Sequence, residues 1–296
     1  RESKKTPSNK DALTVGRAVK EIAKSDYGTN EKKFPHLFLN NGGLAWVKTP
    51  ETGGLQQQYA LVGTMGQGGR GAYALNISGK GRATNADIGL RSGDWRRDVP
   101  FWETQKGEDN ALGYTLSTPA IGQVAMDFEP NDIAKRDLNV HAYTFIANGY
   151  KGTADSDAPY DPVATLYVYD LFGQNFGADV NSGNINNGNR PGHLVVKIPV
   201  GGEGAGAGLS TPVLYDNNMD GVYDFAFAGD TKGNVWKFDL RAHPSQWPGR
   251  VRLVYRGQPS QPITAAPTIY KVDNDNAVII FGTGSDVYEA DKENTD

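Results

Sequence analysis

A unit of strand, glycine turn, aromatic-bearing strand and closing Asp or Asn occurs four times, and this repetition limits the possible folds more than any other feature. The copies are Val62-Gly-Thr…Ala72-Tyr-Ala-Leu-Asn76, Ile146-Ala-Asn-Gly149…Thr165-Leu-Tyr-Val-Tyr-Asp170, Ala228-Gly-Asp…Asn234-Val-Trp-Lys-Phe-Asp239 and Phe281-Gly-Thr-Gly-Ser-Asp-Val287-Tyr-Glu-Ala-Asp291. A second element precedes the later units: Leu116-Ser-Thr-Pro119-Ala-Ile, Leu209-Ser-Thr-Pro212-Val-Leu and Ile263-Thr-Ala-Ala-Pro267-Thr-Ile. Proline followed by alternating apolar residues suits the start of an edge strand. Repeated four-stranded units with insertions predict an all-β fold, a modified β-propeller. At roughly 40–50 residues per blade, the chain length predicts about five to seven blades, irregular in spacing.

The remaining segments fit around that core. A glycine-rich, tyrosine-rich composition, with 37 Gly and 14 Tyr in 296 residues, suits short strands and many turns. Phe38 to Val47 reads as a hairpin around Asn40-Asn41-Gly42-Gly43. Asn175 to Leu209 and Asp155-Ser-Asp157-Ala-Pro-Tyr-Asp161 read as long loop insertions. Before the β pattern, Ser8-Asn-Lys-Asp11 fits a capping box, and Ala12, Val15, Val19 and Ile22 recur at helical spacing. A helix over about 9–25 follows, and the chain divides into an N-terminal helical or linker segment, 1–33, and a propeller, 34–296.

The stretch with the most definite chemistry is Asp216-Asn-Asn218-Met-Asp220-Gly221-Val222-Tyr-Asp224. Oxygen-bearing side chains fall at alternate positions, as a hard cation needing six to eight oxygen ligands requires. Asp216, Asn218 and Asp220 occupy positions 1, 3 and 5 of a cation loop, with Gly221 at the reversal. The Val222 carbonyl serves position 7 and Asp224 position 9. An EF-hand would place a bidentate Glu at position 12 and continue as a helix. Here position 12 is Phe227, within the alternating run Phe-Ala-Phe-Ala, so the loop lies between two strands. Calcium is the expected ion, and a plain Asx-rich hairpin turn is the alternative.

Other signals are set aside. Gly66-Gln-Gly68-Gly-Arg-Gly71 matches a dinucleotide fingerprint, but a strand rather than a helix follows, so it reads as a hairpin turn. Asp273-Asn-Asp275-Asn276 echoes the cation loop but has Ala277 at position 5 and reads as a turn. His36, His141, His193 and His243 show no paired spacing, which leaves transition-metal and Ser-His-Asp chemistry unsupported. A net charge of −4 without a basic stripe argues against nucleic acid as a partner. No apolar run of 18 residues is present, so no transmembrane segment is expected. Absence of cysteine rules out disulfides and thiol catalysis. Phe101-Trp102, Trp95 and Trp247 suit either ligand binding or packing between blades.

The loop together with Asn234-Val-Trp-Lys-Phe-Asp-Leu240 resembles a segment of the PilC/PilY family of type IV pilus proteins. Further similarity lies in NNGGLAWV at 40–47, VGTMGQGGRGAYALNIS at 62–78, FWE at 101–103, LGYTLSTPAIG at 112–122 and FGTGSDVY at 281–288. The loop alone also resembles the cation loops of integrin α-chain propellers. The whole set is most similar to the Neisseria-type PilC branch of the pilus family. This resemblance implies the C-terminal propeller of a non-enzymatic pilus biogenesis factor and adhesin at the outer membrane and pilus tip. It implies Ca2+ at Asp216, Asn218, Asp220, Val222 and Asp224, switching pilus extension against retraction, twitching motility and host-cell adherence. Pilus subunits or minor pilins, and a host-cell surface receptor, are the implied partners. Asn218 in place of an aspartate removes one charge, which would weaken affinity. Two other readings are a quinoprotein-like enzyme, from a faint likeness at Ala74-Leu-Asn76-Ile-Ser-Gly79-Lys80, and a propeller merely stapled by calcium.

Overall fold

The structure is a computed structural model that describes residues 20, 22–30, 36, 38–48, 57–80, 99–104, 110–125, 140–150, 160, 162–172, 191–201, 206–273 and 276–287. Among these, Lys20 and Ile22 are helical and turns follow to Gly28. Residues 23–25 of the expected helix at 9–25 are turn and bend instead; residues 9–19 and 21 lie outside the described residues, as do the acidic insertion around Asp155, Trp95, and most of the insertion after Asn175.

The β pattern resolves into four antiparallel sheets, each a run of consecutive strands. The first blade is β1 (Leu44–Lys48), β2 (Tyr59–Thr64), β3 (Ala72–Asn76) and β4 (Pro100–Glu103). The second is β5 (Ala120–Ala125), β6 (Val140–Ala147), β7 (Thr165–Asp170) and β8 (Leu194–Pro199). The third is β9 (Val213–Tyr215), β10 (Phe225–Gly229), β11 (Val235–Asp239) and β12 (Val251–Tyr255). A two-stranded sheet, β13 (Thr268–Lys271) with β14 (Ala277–Ile280), follows. The described residues thus form four sheets, not five to seven. Residues 77–99 separate β3 from β4 and residues 171–193 separate β7 from β8, so these blades take up more chain than a repeat of roughly 40–50 residues.

Each recurring sequence element has one structural job. The glycine turn joins the second and third strands of a blade, and the Gly66–Gly71 segment is such a link, with a single 3-10 turn at Gly66–Gly68. The closing Asp or Asn ends the third strand by turning its carboxylate or amide oxygen onto the amide two residues on. Asn76 accepts from Ser78 N at 3.0 Å, Asp170 from Phe172 N at 3.0 Å and Asp239 from Arg241 N at 3.1 Å. This is an Asx turn, and it releases the chain from the ladder. Asn76 therefore belongs to the blade ending shared with Asp170 and Asp239.

The Leu-Ser-Thr-Pro element does more than begin an edge strand. β5, β9 and β13 do start within one residue of Pro119, Pro212 and Pro267, each at a sheet edge. The residues just before the proline, however, lie in the seam between blades. Thr115 takes the amides of Met65 and Gly66 from the first blade, while Tyr114 exchanges both backbone bonds with Tyr150 of the second. Leu209 N donates to Asn148 Oδ1 of the second blade at 3.1 Å, and Ser210 N to Gly229 O of the third at 2.8 Å. Ile263 N donates to Asp230 O of the third blade at 2.9 Å, and Pro262 O accepts from Gly284 N beyond β14. The polar residue at or just after the end of each second strand (Thr64, Asn148 or Asp230) meets this seam, and all three are buried.

Between these seams run two apolar layers. On one face of the second blade, Ile146, Tyr167 and Tyr169 pack with Val62, Ala74 and Trp102 of the first. On the other, Tyr143, Phe145 and Val168 pack with Ala226, Trp236, Phe238 and Trp247 of the third. Covered on both faces, β7 is buried along its whole length, which explains why Thr-Leu-Tyr-Val-Tyr-Asp lacks strict alternation. Trp102 and Trp247 are thus inter-blade packing residues. The Asn40–Gly43 segment is not a hairpin turn, since β1 pairs with β2 instead. Its glycines allow close approach: a Cβ on Gly43 would lie 2.3 Å from Thr118 Oγ1.

Gly122 marks a close contact between the second and third blades beside the 216–224 segment. An added Cβ there would lie 2.4 Å from both Leu214 Cδ1 and Tyr223 Cδ2. Gly122→Ala should destabilise the protein by about 1–3 kcal/mol, the usual cost of overpacking. Urea unfolding would show this as a lower midpoint, and an unchanged midpoint would mean that Leu214 and the Tyr223 ring yield freely.

Candidate metal centre

The loop 216–224 links β9 to β10 and is wound around the Asp216 carboxylate. Oδ1 of Asp216 accepts from Met219 N at 2.7 Å and Asp220 N at 3.3 Å, and Oδ2 accepts from Gly221 N at 2.7 Å. Met219, with φ of 64°, and Gly221, with φ of 86°, take left-handed conformations that let the chain reverse around this anchor. Asp220 is exposed; its Oδ1 accepts from Val222 N at 2.9 Å and its Oδ2 from the Asn218 amide at 2.7 Å. Asp224 is buried, and its Oδ2 accepts from Asn217 N at 2.9 Å across the mouth of the loop. The turn closes on the sheet through Asp224 N to Tyr215 O, and Asp224 O receives Leu240 N.

The five residues expected at the site therefore share one turn, with Val222 buried beneath it. They do not form a finished cage. Among the described residues, no three Asp, Glu or His side chains are gathered into a set that could hold a metal ion as they stand. The donor set nevertheless fits a hard cation. Three carboxylates, one amide oxygen and one carbonyl are the right oxygen types. The Asn218 amide donates to Asp220 across the turn.

The loop is embedded between blades. Tyr223 N donates to Gln123 O of β5 at 2.8 Å, which joins it to the second blade. From the other side, the Lys271 ammonium at the end of β13 donates to the carbonyl of Asn217. At the Asp224 end stand two more cations. Lys237 Nζ lies 3.7 Å from the centre of the Phe225 ring, and Arg241 bonds both carboxylate oxygens of Asp239 at 3.0 Å. Burial, with the charge of Arg241, lowers the Lys237 pKa; the Asp224 charge opposes that shift. The Asp239 side-chain bond raises Arg241, and the Asp224 charge adds to it. Sequence reasoning missed these neighbours, because lysines and arginines distributed over separate strands carry no spacing signal.

The comparisons with known proteins point one way. A family model described as the PilY1 beta-propeller domain matches residues 9–296. A Pseudomonas aeruginosa protein named type IV pilus biogenesis factor PilY1 is 30% identical over 254 residues, covering 76% of this chain and 17% of its own length. A Xylella fastidiosa PilY1 homolog is 24% identical over 265 residues, covering 89% of this chain and 17% of that protein. The chain therefore spans about a sixth of the curated relatives it matches. The crystal structure of the Pseudomonas aeruginosa PilY1 C-terminal domain superposes with a TM-score of 0.55 at 24% identity, covering 85% of this chain and 46% of that one. Three repeated blades, their shared seams and the family model's span agree: the chain belongs to the PilY1 beta-propeller domain family.

Proposed function

We propose that this propeller segment acts in type IV pilus biogenesis without catalysis, and that its loop binds one calcium ion as the regulatory element. The observation that supports it most is the Asp216-centred turn, with acids at positions 1, 5 and 9, a left-handed Gly221 at position 6 and the Val222 carbonyl at position 7. Asp216, Asn218, Asp220 and Asp224 would supply side-chain oxygens. A bound cation offsets repulsion among three carboxylates and fixes the turn. Anything that binds only the ordered loop stabilises it by RT ln(1 + [L]/Kd). Because the loop touches β5 and β13, ordering it biases the second and fourth sheets as well as the third.

Calcium occupancy would then regulate pilus extension against retraction, and with it twitching motility and host-cell adherence. Pilus subunits or minor pilins are the proposed partners, with a host-cell receptor for the adhesive role, at the outer membrane and pilus tip. By linkage, a partner that prefers the ordered loop binds more tightly when calcium is present, and calcium binds more tightly with the partner.

Calorimetric titration tests the first step. The wild-type chain should bind one calcium per molecule, and Asp216→Ala with Asp220→Ala should weaken binding by about 100-fold or more, or roughly 2.8 kcal/mol. Unchanged binding in the double variant would remove the loop as the site. A chain that binds calcium but supports normal twitching without its loop ligands would reduce the ion to a structural staple.

A further inference from the structure

We propose that Lys271 is a built-in counter-charge of the 216–224 loop and sets how tightly that loop takes a divalent cation. The inference rests on the calcium reading above and deepens it. The loop carries three acids and no basic residue. Lys271 comes from a different sheet, as the last residue of β13, and is half-buried there. Its ammonium donates to the carbonyl of Asn217, between the first two candidate ligands. The acceptor is a neutral carbonyl, so this bond leaves the lysine's positive charge standing beside the loop.

The other two cations near the loop are differently engaged. Lys237 lies over the Phe225 ring, and Arg241 is bonded to Asp239. Both lie at the Asp224 end. Lys271 alone of the three donates to the loop's own backbone among the bonds described. A positive charge held there attracts the carboxylates when no cation is bound and repels a divalent ion that enters. The same coupling runs in reverse. Calcium entry weakens the Lys271 contact and so loosens the tie between the loop and β13. The lysine thus lowers affinity and gives cation binding a mechanical output at the last sheet.

The test is a calcium titration by calorimetry on the whole chain, comparing wild type with Lys271→Arg, Lys271→Met and Lys271→Glu. Met and Glu both remove the bond to Asn217 but differ in charge, which separates electrostatics from the contact. At about 0.01 M salt, where screening reaches over about 30 Å, Lys271→Met should bind calcium more tightly than wild type. The expected gain is about three- to tenfold, with a further gain for Lys271→Glu and little change for Lys271→Arg. At about 1 M salt, where the screening length falls to about 3 Å, the differences should collapse. If wild type binds calcium while Met and Glu bind equally well or worse, Lys271 is a strap and the proposal is overturned. If none of the four proteins binds calcium, the calcium reading itself fails and takes the proposal with it.

Discussion

Replacing Asp230 by alanine is expected to remove a large part of the protein's stability. Asp230 directly follows the second strand of the third blade and is fully buried. Its Oδ1 accepts from Lys232 N at 2.8 Å and Asn234 N at 3.1 Å. Its Oδ2 accepts from Gly206 N at 3.0 Å, the Asn234 amide at 2.9 Å and Trp236 Nε1 at 2.8 Å. One carboxylate thus satisfies the turn between β10 and β11, the approach from the second blade and the indole of a core tryptophan. Alanine would strand five donors, four of them in buried bonds. Each stranded group costs about 1–3 kcal/mol, less what relaxation recovers. A net loss of about 4 kcal/mol or more compares with a total stability of about 5–15 kcal/mol for typical domains. Asp230→Asn should be milder, because one acceptor oxygen remains, though its amide must face a donor. Circular dichroism of the two variants against urea decides the matter. An Asp230→Ala protein as stable as wild type would show that the donors find other partners.

Asp230 also shows what the sequence makes legible. Its place was visible as one of a series, Val62-Gly-Thr, Ile146-Ala-Asn and Ala228-Gly-Asp, so the unit and its sheet could be read from recurrence alone. The tie from one unit to the next was not legible. Thr64 bonds Ser117 O, Asn148 bonds Leu209 N, and the Asp230 carbonyl bonds Ile263 N. These bonds span 53, 61 and 33 residues, the last by subtraction of 230 from 263, and no local pattern encodes a partner so far away. The number of sheets among the described residues is likewise not legible from chain length. Insertions add length without adding strands to the described sheets, and sequence periodicity averages over them.

The candidate metal centre divides along the same line. Alternation of Asp, Asn, Asp and Gly is local, and the turn built around Asp216 follows from it, because Asx side chains seek the amides two to five residues on. Lys271 and Gln123 reach the loop from the sheets on either side of it. Their approach depends on the packing of blades, a tertiary outcome that neither composition nor spacing contains. A loop readable as a calcium ligand set is thus unreadable as a joint between sheets until the blades are in place.

Trp247→Ala is expected to produce the second large loss, and it tests whether blades act as one cooperative unit. Trp247 lies in the 3-10 segment Pro244–Arg250, between β11 and β12, and is fully buried. Its indole donates to Leu240 O at 3.1 Å and Ala242 O at 2.8 Å, which fastens the segment to its own blade. The ring reaches across to the second blade. It meets Tyr143 edge-on at 5.8 Å and stacks on Phe145 at 6.4 Å. That layer is dry enough for burial, helped by the Asp170 charge, to hold the Tyr143 phenol well above its ordinary range. Truncation to alanine removes a large buried surface and leaves a cavity, at a cost of about 3–5 kcal/mol. Trp247→Phe should keep the aromatic contacts and lose only the two carbonyl partners, at about 1–2 kcal/mol. In a single cooperative unit, fluorescence and far-ultraviolet dichroism shift together in urea, with the midpoint lowered and the slope unchanged. Two separate transitions in the alanine variant would mean that the second and third blades unfold independently once this ring is gone. The loop at 216–224 would then be tied to the second blade only through its own contact with Gln123.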